Sequence, residues 1–328
     1  MTAYRIAIVG AAGLLGKELA TGLRDRNFPA FPPALLELRG ATAAPAADRG
    51  LLEFGDEPMV TEACTPQALA DRDLLLLAGG PDEARQAMAM APASTLIVDL
   101  TGAIAMPEAG GLLAGLETAP NDDPQTVRII SVAHPAAQAL AHILDRLALA
   151  GPAVALAATV FEPASQLGWP GLRELEQQTT RLLSLQSIPD EVFGGQVAFN
   201  LRPAMGGEVL RARIADQTAA LRTVEAGQSP AIEVLQAPLF HASLLSLYLR
   251  YSHDPEPEVL AASLRSPWLT PSSIPDALAA AGSDTIQISA PRRDAAGGYW
   301  ILAGLDNLRR TVHAGLDAAL AVLEARRR

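Results

Sequence analysis

The sequence predicts an α/β protein with two parts: a doubly wound parallel sheet first, then an α+β domain with a mixed sheet. Three observations predict this. Tyr4 to Val9 is an apolar run, followed at once by Gly10-Ala11-Ala12-Gly13-Leu14-Leu15-Gly16 and then by a helical stripe of Leu14, Leu15, Leu19 and Leu23. Strand, tight glycine turn and helix in that order bring helix N-terminal N–H groups toward an anion, as a dinucleotide pyrophosphate requires. The continuous apolar run of Asp73–Ala78 reads as a strand buried on both faces of a parallel sheet, and Leu96–Leu100 and Arg128–Val132 are further strands at parallel-sheet spacing. From Gly151 the pattern changes to longer strands with alternation, as at Leu245, Leu247 and Leu249.

Taken in order, Ala34–Leu38 is the second strand and the Ala-, Gly- and Pro-rich segment Arg39–Gly50 a loop. Leu51–Phe54 and Pro58–Val60 are short strand pieces, and Thr65–Leu69 opens a short helix. Gly79-Gly80-Pro81 ends the Asp73 strand, and Asp82–Ala89 is a helix. Pro107–Asp123 reads as irregular. His134-Pro135 starts a long helix, Ala136–Leu149, with proline where a first turn tolerates it. Ala153–Phe161 is a long strand, Leu172–Leu185 an amphipathic helix and Val197–Leu201 a strand-like run. Ile232–Tyr251 holds two long strands or one bent hairpin, and Pro257–Arg265 a helix. Thr285–Ser289 and Tyr299–Gly304 pair as a hairpin, and Leu305–Arg327 is the last helix. The expected boundaries are 1–133 for a Rossmann-type dinucleotide-binding domain and 134–304 for the α+β domain. A helix over 305–328 returns to the first.

Composition narrows the function classes. The chain has 328 residues, is 49% hydrophobic and carries a formal net charge of −11. That charge opposes a nucleic-acid backbone or an anionic membrane as partner. Lys17 is the only lysine, so arginine supplies nearly all the positive charge; with so much Ala, Gly and Pro this reads as coding bias. Cys64 is the only cysteine, which excludes an internal disulfide and suits a reducing compartment. No charged start with a long apolar core and no run of about eighteen apolar residues is present, so the expected location is the cytoplasm of a bacterium.

The candidate cofactor-binding residues are Gly10, Ala12, Gly13, Leu14 and Gly16 in the first turn, Gly79 and Gly80 after the Asp73 strand, and Arg39. The spacing is G-x-x-G-x-x-G, and its place directly after the first strand is what gives it weight. Arg39 with Thr42 leaves both NADP and NAD open.

GAAGLLG at Gly10, LLLLAGG at Leu74, LIVDLTGAIAM at Leu96, VAHPAA at Val132, QVAFNLRP at Gln196 and LDNLRR at Leu305 together make the chain resemble the aspartate-semialdehyde dehydrogenases along nearly its whole length. The resemblance implies a dinucleotide-binding domain, a second domain that dimerises and carries the active site, and a C-terminal helix returning to the first. It implies reductive dephosphorylation of aspartyl phosphate with NADPH through a cysteine thioester, with a histidine as acid and base.

Position by position, the chemistry of that family is missing. The family cysteine falls on Ala137, the histidine on Ser243 and the glutamine on Glu162. The two anion-gripping arginines fall on Gln236 and Ala105, which removes the bidentate hold on a carboxylate or phosphate. After Asp306-Asn307-Leu308-Arg309, the family's Gly-Ala-Ala and Asn become Thr311, Val312, His313 and Gly315. Ala12 stands where the family has threonine. His241, two residues before Ser243, would share its face in a continuous strand. Cys64 reads as a small buried hydrophobe.

The chain is therefore most similar to the Usg-type relatives that lack the cysteine. The expected function is that of a dehydrogenase-like pseudoenzyme without catalytic residues: a homodimer, through the second domain, that binds a nucleotide, a small molecule or a partner protein. The alternative is an NAD(P)-dependent oxidoreductase acting on an aldehyde or oxo group without cysteine, through Glu162 with His134 or His241. No metal site, nucleic-acid site or membrane site is expected.

Overall fold

Ile6–Val9 forms β1 with all four residues buried, as expected of an inner parallel strand. The computed structural model describes residues 3–38, 52–54, 57–108, 110–116, 123–224 and 229–327. After β1 come α1 (Leu14–Asp25), β2 (Ala34–Glu37), β3 (Leu52–Phe54), β4 (Glu57–Met59), β5 (Glu62–Ala63), α2 (Pro66–Leu69) and β6 (Leu74–Leu77). Then follow α3 (Pro81–Met90), β7 (Leu96–Asp99), β8 (Leu112–Ala114) and β9 (Ile129–Val132). The sheet order is β5-β2-β1-β6-β7-β9-β8, and every pairing is parallel. β3 and β4 form a separate antiparallel pair.

The second part begins with α4 (Pro135–Ala148), β10 (Ala153–Glu162), a 3₁₀ turn over Ala164–Leu167, α5 (Gly168–Leu183), β11 (Arg202–Pro203) and α6 (Gly207–Leu221). It continues with β12 (Ala231–Gln236), β13 (Ser243–Tyr251), α7 (Pro257–Ser263), β14 (Leu269–Pro271), α8 (Ala277–Ala280), β15 (Ile286–Ile288), β16 (Arg292–Arg293), β17 (Tyr299–Leu305) and α9 (Asn307–Ala325). Its sheet runs β11-β12-β10-β13-β17-β15-β14, with β16 beside β17. β10 pairs parallel with β12 and antiparallel with β13, so the sheet is mixed.

The chain divides into two compact units, Met1–Ala133 with Thr311–Arg328, and His134–Arg310. In the first, alternate residues of each strand feed opposite cores. Ile6, Ile8, Leu74, Leu76 and Val98 pack with Leu19 and Leu23 of α1 and with Val312, Leu316 and Val322 of α9. Ala7, Val9, Leu75, Leu77 and Ile97 pack with Leu69 of α2, Ala84 and Ala87 of α3, and Cys64. In the second unit, odd residues of β13 and β17 are buried, while the other face carries half-exposed Tyr248 and Trp300 and exposed Leu302. No helix among the described residues is long and apolar enough to cross a membrane.

The α/β class, with a doubly wound parallel sheet and a second mixed one, is as the sequence predicts, but local details differ. Of the two alternatives for Ile232–Tyr251, two long strands is the one observed and the hairpin is not: β12 and β13 lie on either side of β10 and pair with it. Val197–Leu201 is not a strand, because the Gln178 side chain takes the Val197 and Ala198 N–H groups that a ladder would need. Pro107–Asp123 is not wholly irregular, since Leu112–Ala114 adds β8 at the sheet edge. Helix α6 has no counterpart in the sequence reading. Its buried residues are Ile214, Gln217 and Thr218, so its inner face prints no apolar stripe.

Candidate functional site

The order in which strands are added to the first sheet reverses at β1, with β2 and β5 on one side and β6, β7, β9 and β8 on the other. Ligands of open parallel sheets bind beyond the carboxyl ends of the strands at such a point. Gly10 ends β1 with φ +80°, and a Cβ there would lie 2.3 Å from Gly79 backbone atoms. The loops after β1 and β6 therefore touch backbone to backbone, which only glycine allows. A Cβ on Gly16 would lie 2.3 Å from the Ala11 carbonyl oxygen, so the start of α1 lies directly on the glycine turn. Gly13 caps α1 and half-buried Leu14 begins it. Around Gly80 there is open space. These are the features of a cradle for phosphate backbone, and they bring together every expected cofactor-binding residue except Arg39, which lies outside the described residues.

Two acids complete the crevice. The Ala12 N–H donates to Oε1 of Glu37 at 2.8 Å, and the Gly80 N–H donates to Oε2 of Glu83 at 3.0 Å. Burial pushes the Glu37 carboxyl above the usual carboxylate range, the Ala12 N–H pulls it back, and the Glu83 charge raises it again. Glu37 is the site residue that the sequence reading missed. The signal was an acid at a strand end about twenty residues past the last glycine of the turn.

In the second unit, Ala137 is a fully buried residue in the first turn of α4. His134 caps that helix, its Nδ1 accepting from the Ala136 N–H at 3.3 Å. The proton of the neutral ring is therefore on Nε2, which lies 3.6 Å from Oε1 of Glu162. That is ion-pair distance, too long for a hydrogen bond. Both side chains are only 2% exposed, and neither carboxylate oxygen of Glu162 has a hydrogen-bond partner. Burial holds the Glu162 carboxyl up at about 8 and the His134 imidazole down at about 3; the Arg213 charge lowers both. Both groups are thus neutral near pH 7.

Of the other family positions, Ser243 and Gln236 are also enclosed, whereas Ala105 is exposed. Ser243 is fully buried, and its hydroxyl makes no hydrogen bond. Gln236 donates from Nε2 to the Glu162 carbonyl oxygen, 2.9 Å, which ties β12 to β10. His241 does not share the face of Ser243. β13 begins only at Ser243, and Ala242 is left-handed with φ +67°, which breaks the alternation and leaves His241 exposed. The Ala242 N–H is held by Oδ1 of Asn307, which also accepts from the Ser165 hydroxyl. Asp99, fully buried, fixes the loop toward Ala105 by accepting from the N–H groups of Thr101 and Ile104. Cys64 is buried and its thiol is pushed up, by burial first and the Glu37 charge second, so it is protonated at neutral pH. Among the described residues no group of three or more His, Cys, Asp or Glu could hold a metal ion.

No protein-family model matches the chain. The USG-1 protein homologue of Azotobacter vinelandii is 30% identical over 283 residues, which cover 81% of this chain and 80% of that protein. The chain belongs to the USG-1 protein homologue family. The structure of a probable aspartate-semialdehyde dehydrogenase from Pseudomonas aeruginosa superposes with a TM-score of 0.82 at 20% identity, covering 98% of this chain and 99% of that one. The Candida albicans aspartate-semialdehyde dehydrogenase, solved with NADP, superposes with a TM-score of 0.70 at 14% identity and 99% coverage of both chains. This chain and those dehydrogenases thus share one fold.

Proposed function

We propose that this USG-1 family member binds a dinucleotide at the Gly10 crevice and does not carry out the phosphate-dependent semialdehyde dehydrogenase reaction. The observation that carries the second half is Ala137, a methyl group at the helix start where that reaction needs a thiolate. The only thiol in the chain, Cys64, is buried and protonated. The first half rests on the Gly10–Gly79 contact and the start of α1, and on the NADP held by the Candida albicans protein of the same fold. The N–H groups of Gly10, Ala12 and Gly13 are already donating, so the backbone N–H groups in the first turn of α1 would hold the pyrophosphate, with Gly79 and Gly80 leaving room for close approach. The dinucleotide, when bound, supplies a hydride donor or acceptor; this chain's residues supply binding and orientation.

Phosphate-dependent oxidation of aspartate semialdehyde, assayed with protein purified from a host lacking its own dehydrogenase, is expected to stay at the no-protein rate. Turnover that copurifies with this chain would refute the proposal. One observation favours a second reading, the proximity of His134 to Glu162, since a protonated Glu162 could donate a proton to a carbonyl under reduction. The enclosure of both side chains speaks for the first.

The chain is further proposed to pair with a second copy through the outer face of the second sheet. The rows Ala157–Tyr248–Trp300, Thr159–Ser246–Leu302 and Phe161–Leu244 lie on that face and are half-exposed or exposed and largely apolar. Light scattering is expected to give twice the 34.3 kDa chain mass, and a monomer would rule this out.

A further inference from the structure

We propose that the crevice takes NAD and disfavours NADP, and that Glu37 makes the selection by receiving the adenine ribose hydroxyls. This rests on the dinucleotide reading above and adds which dinucleotide.

The placement comes from strand register. β1 and β2 are parallel with Val9 opposite Leu36, and the Gly10 N–H donates to the Leu36 carbonyl oxygen, 2.9 Å. Glu37 is the next residue, so its side chain emerges beside the glycine turn at the open end of the sheet. Its backbone is pinned as well, the Cys64 N–H donating to the Glu37 carbonyl oxygen at 2.8 Å. The 2.8 Å bond from the Ala12 N–H then fixes one carboxylate oxygen against the turn. Among the described residues the other oxygen makes no hydrogen bond, so it is available to a ligand. An acceptor at this end of β2 matches the donors of a ribose diol.

Charge works in the same direction. A 2′-phosphate carries about two negative charges and has acceptors only. It would meet the Glu37 carboxylate without a donor to offer it. Glu83, which lies close enough to raise the Glu37 pKa, adds a second acid on the same side. Like charges in a half-buried crevice repel far more than they would in water.

Isothermal titration of NADH and NADPH into the wild-type chain and Glu37→Gln tests this without any turnover. The glutamine keeps an acceptor for the Ala12 N–H, so the turn stays built, and an unchanged melting temperature checks it. Wild type is expected to bind NADH at least about tenfold more tightly than NADPH at low salt, with the ratio shrinking as salt rises. Glu37→Gln is expected to narrow that ratio by about tenfold, mainly through tighter NADPH binding. NADPH bound as tightly as NADH by wild type, or a ratio unmoved by the substitution, overturns the selection while leaving dinucleotide binding intact. Binding of neither dinucleotide overturns both.

Discussion

Glu162→Gln is expected to stabilise the protein at pH 8 and to abolish a fall in stability that wild type shows between pH 6.5 and 8. The Glu162 carboxyl sits at about 8 in the fold because burial disfavours its charge. In the unfolded chain it titrates near its ordinary value. Between those two values the folded protein holds a proton that the unfolded chain has released. Unfolding free energy therefore falls as pH rises, by about 1.4 kcal/mol per unit, until the folded group ionises. His134 has the opposite sign. Its folded value is depressed to about 3, so between there and the ordinary histidine value the unfolded chain holds the extra proton and stability rises with pH. From pH 4.5 to 6.5 the two slopes cancel. Above pH 6.5 only Glu162 acts, and the loss by pH 8 is about 2 kcal/mol. Glutamine matches the neutral acid in shape and cannot ionise. Urea midpoints at four pH values across that window read the difference directly. Arg213 is the competing influence, since its charge favours the carboxylate. If it dominated, both proteins would decline in parallel, or the glutamine variant would be the weaker at every pH, and a neutral Glu162 would have to be abandoned.

The same pair illustrates what could be read in the sequence. The parallel sheet is legible because its inner strands are buried on both faces and print as short, mainly apolar runs, unbroken at Leu74–Leu77. The glycine turn is legible because its three glycines are fixed by local geometry. Non-local arrangement is not. Nothing between Ile232 and Tyr251 announces that β10, some seventy residues earlier, lies between β12 and β13. His134 and Glu162 can be named singly as site candidates, but their 3.6 Å approach depends on how α4 meets β10. His241 misleads because the period-2 rule assumes continuous extended backbone, and Ala242 is left-handed. Attention to Arg39 as a phosphate ligand passes over Glu37, where strand register puts the acid.

Gln178→Leu is expected to cost about 3–5 kcal/mol, as several buried backbone groups lose their partners at once. Gln178 lies on α5 and is fully buried. Its Oε1 accepts from the N–H groups of Val197 and Ala198 at 2.7 and 3.1 Å. Its Nε2 donates to the carbonyl oxygens of Pro189 and Gly195 at 2.8 and 3.0 Å. One side-chain amide thus serves both strands of the loop that runs back along the helix. Glu174, one turn earlier, does the same for the N–H groups of Val192 and Phe193. Leucine nearly matches glutamine in volume but offers neither donor nor acceptor. Each group left dry would cost about 1–3 kcal/mol, and partial opening of the loop to water limits the sum. That opening makes a second observable, faster amide exchange at Val197 and Ala198 with little change in β10. Glu174→Gln should cost less, because its amide oxygen still accepts one of the two N–H bonds. A denaturation midpoint for Gln178→Leu within about 1 kcal/mol of wild type would mean that the loop finds other partners. The apolar run at Val197 would then have to be kept out of the sheet by something other than a side chain nineteen residues away.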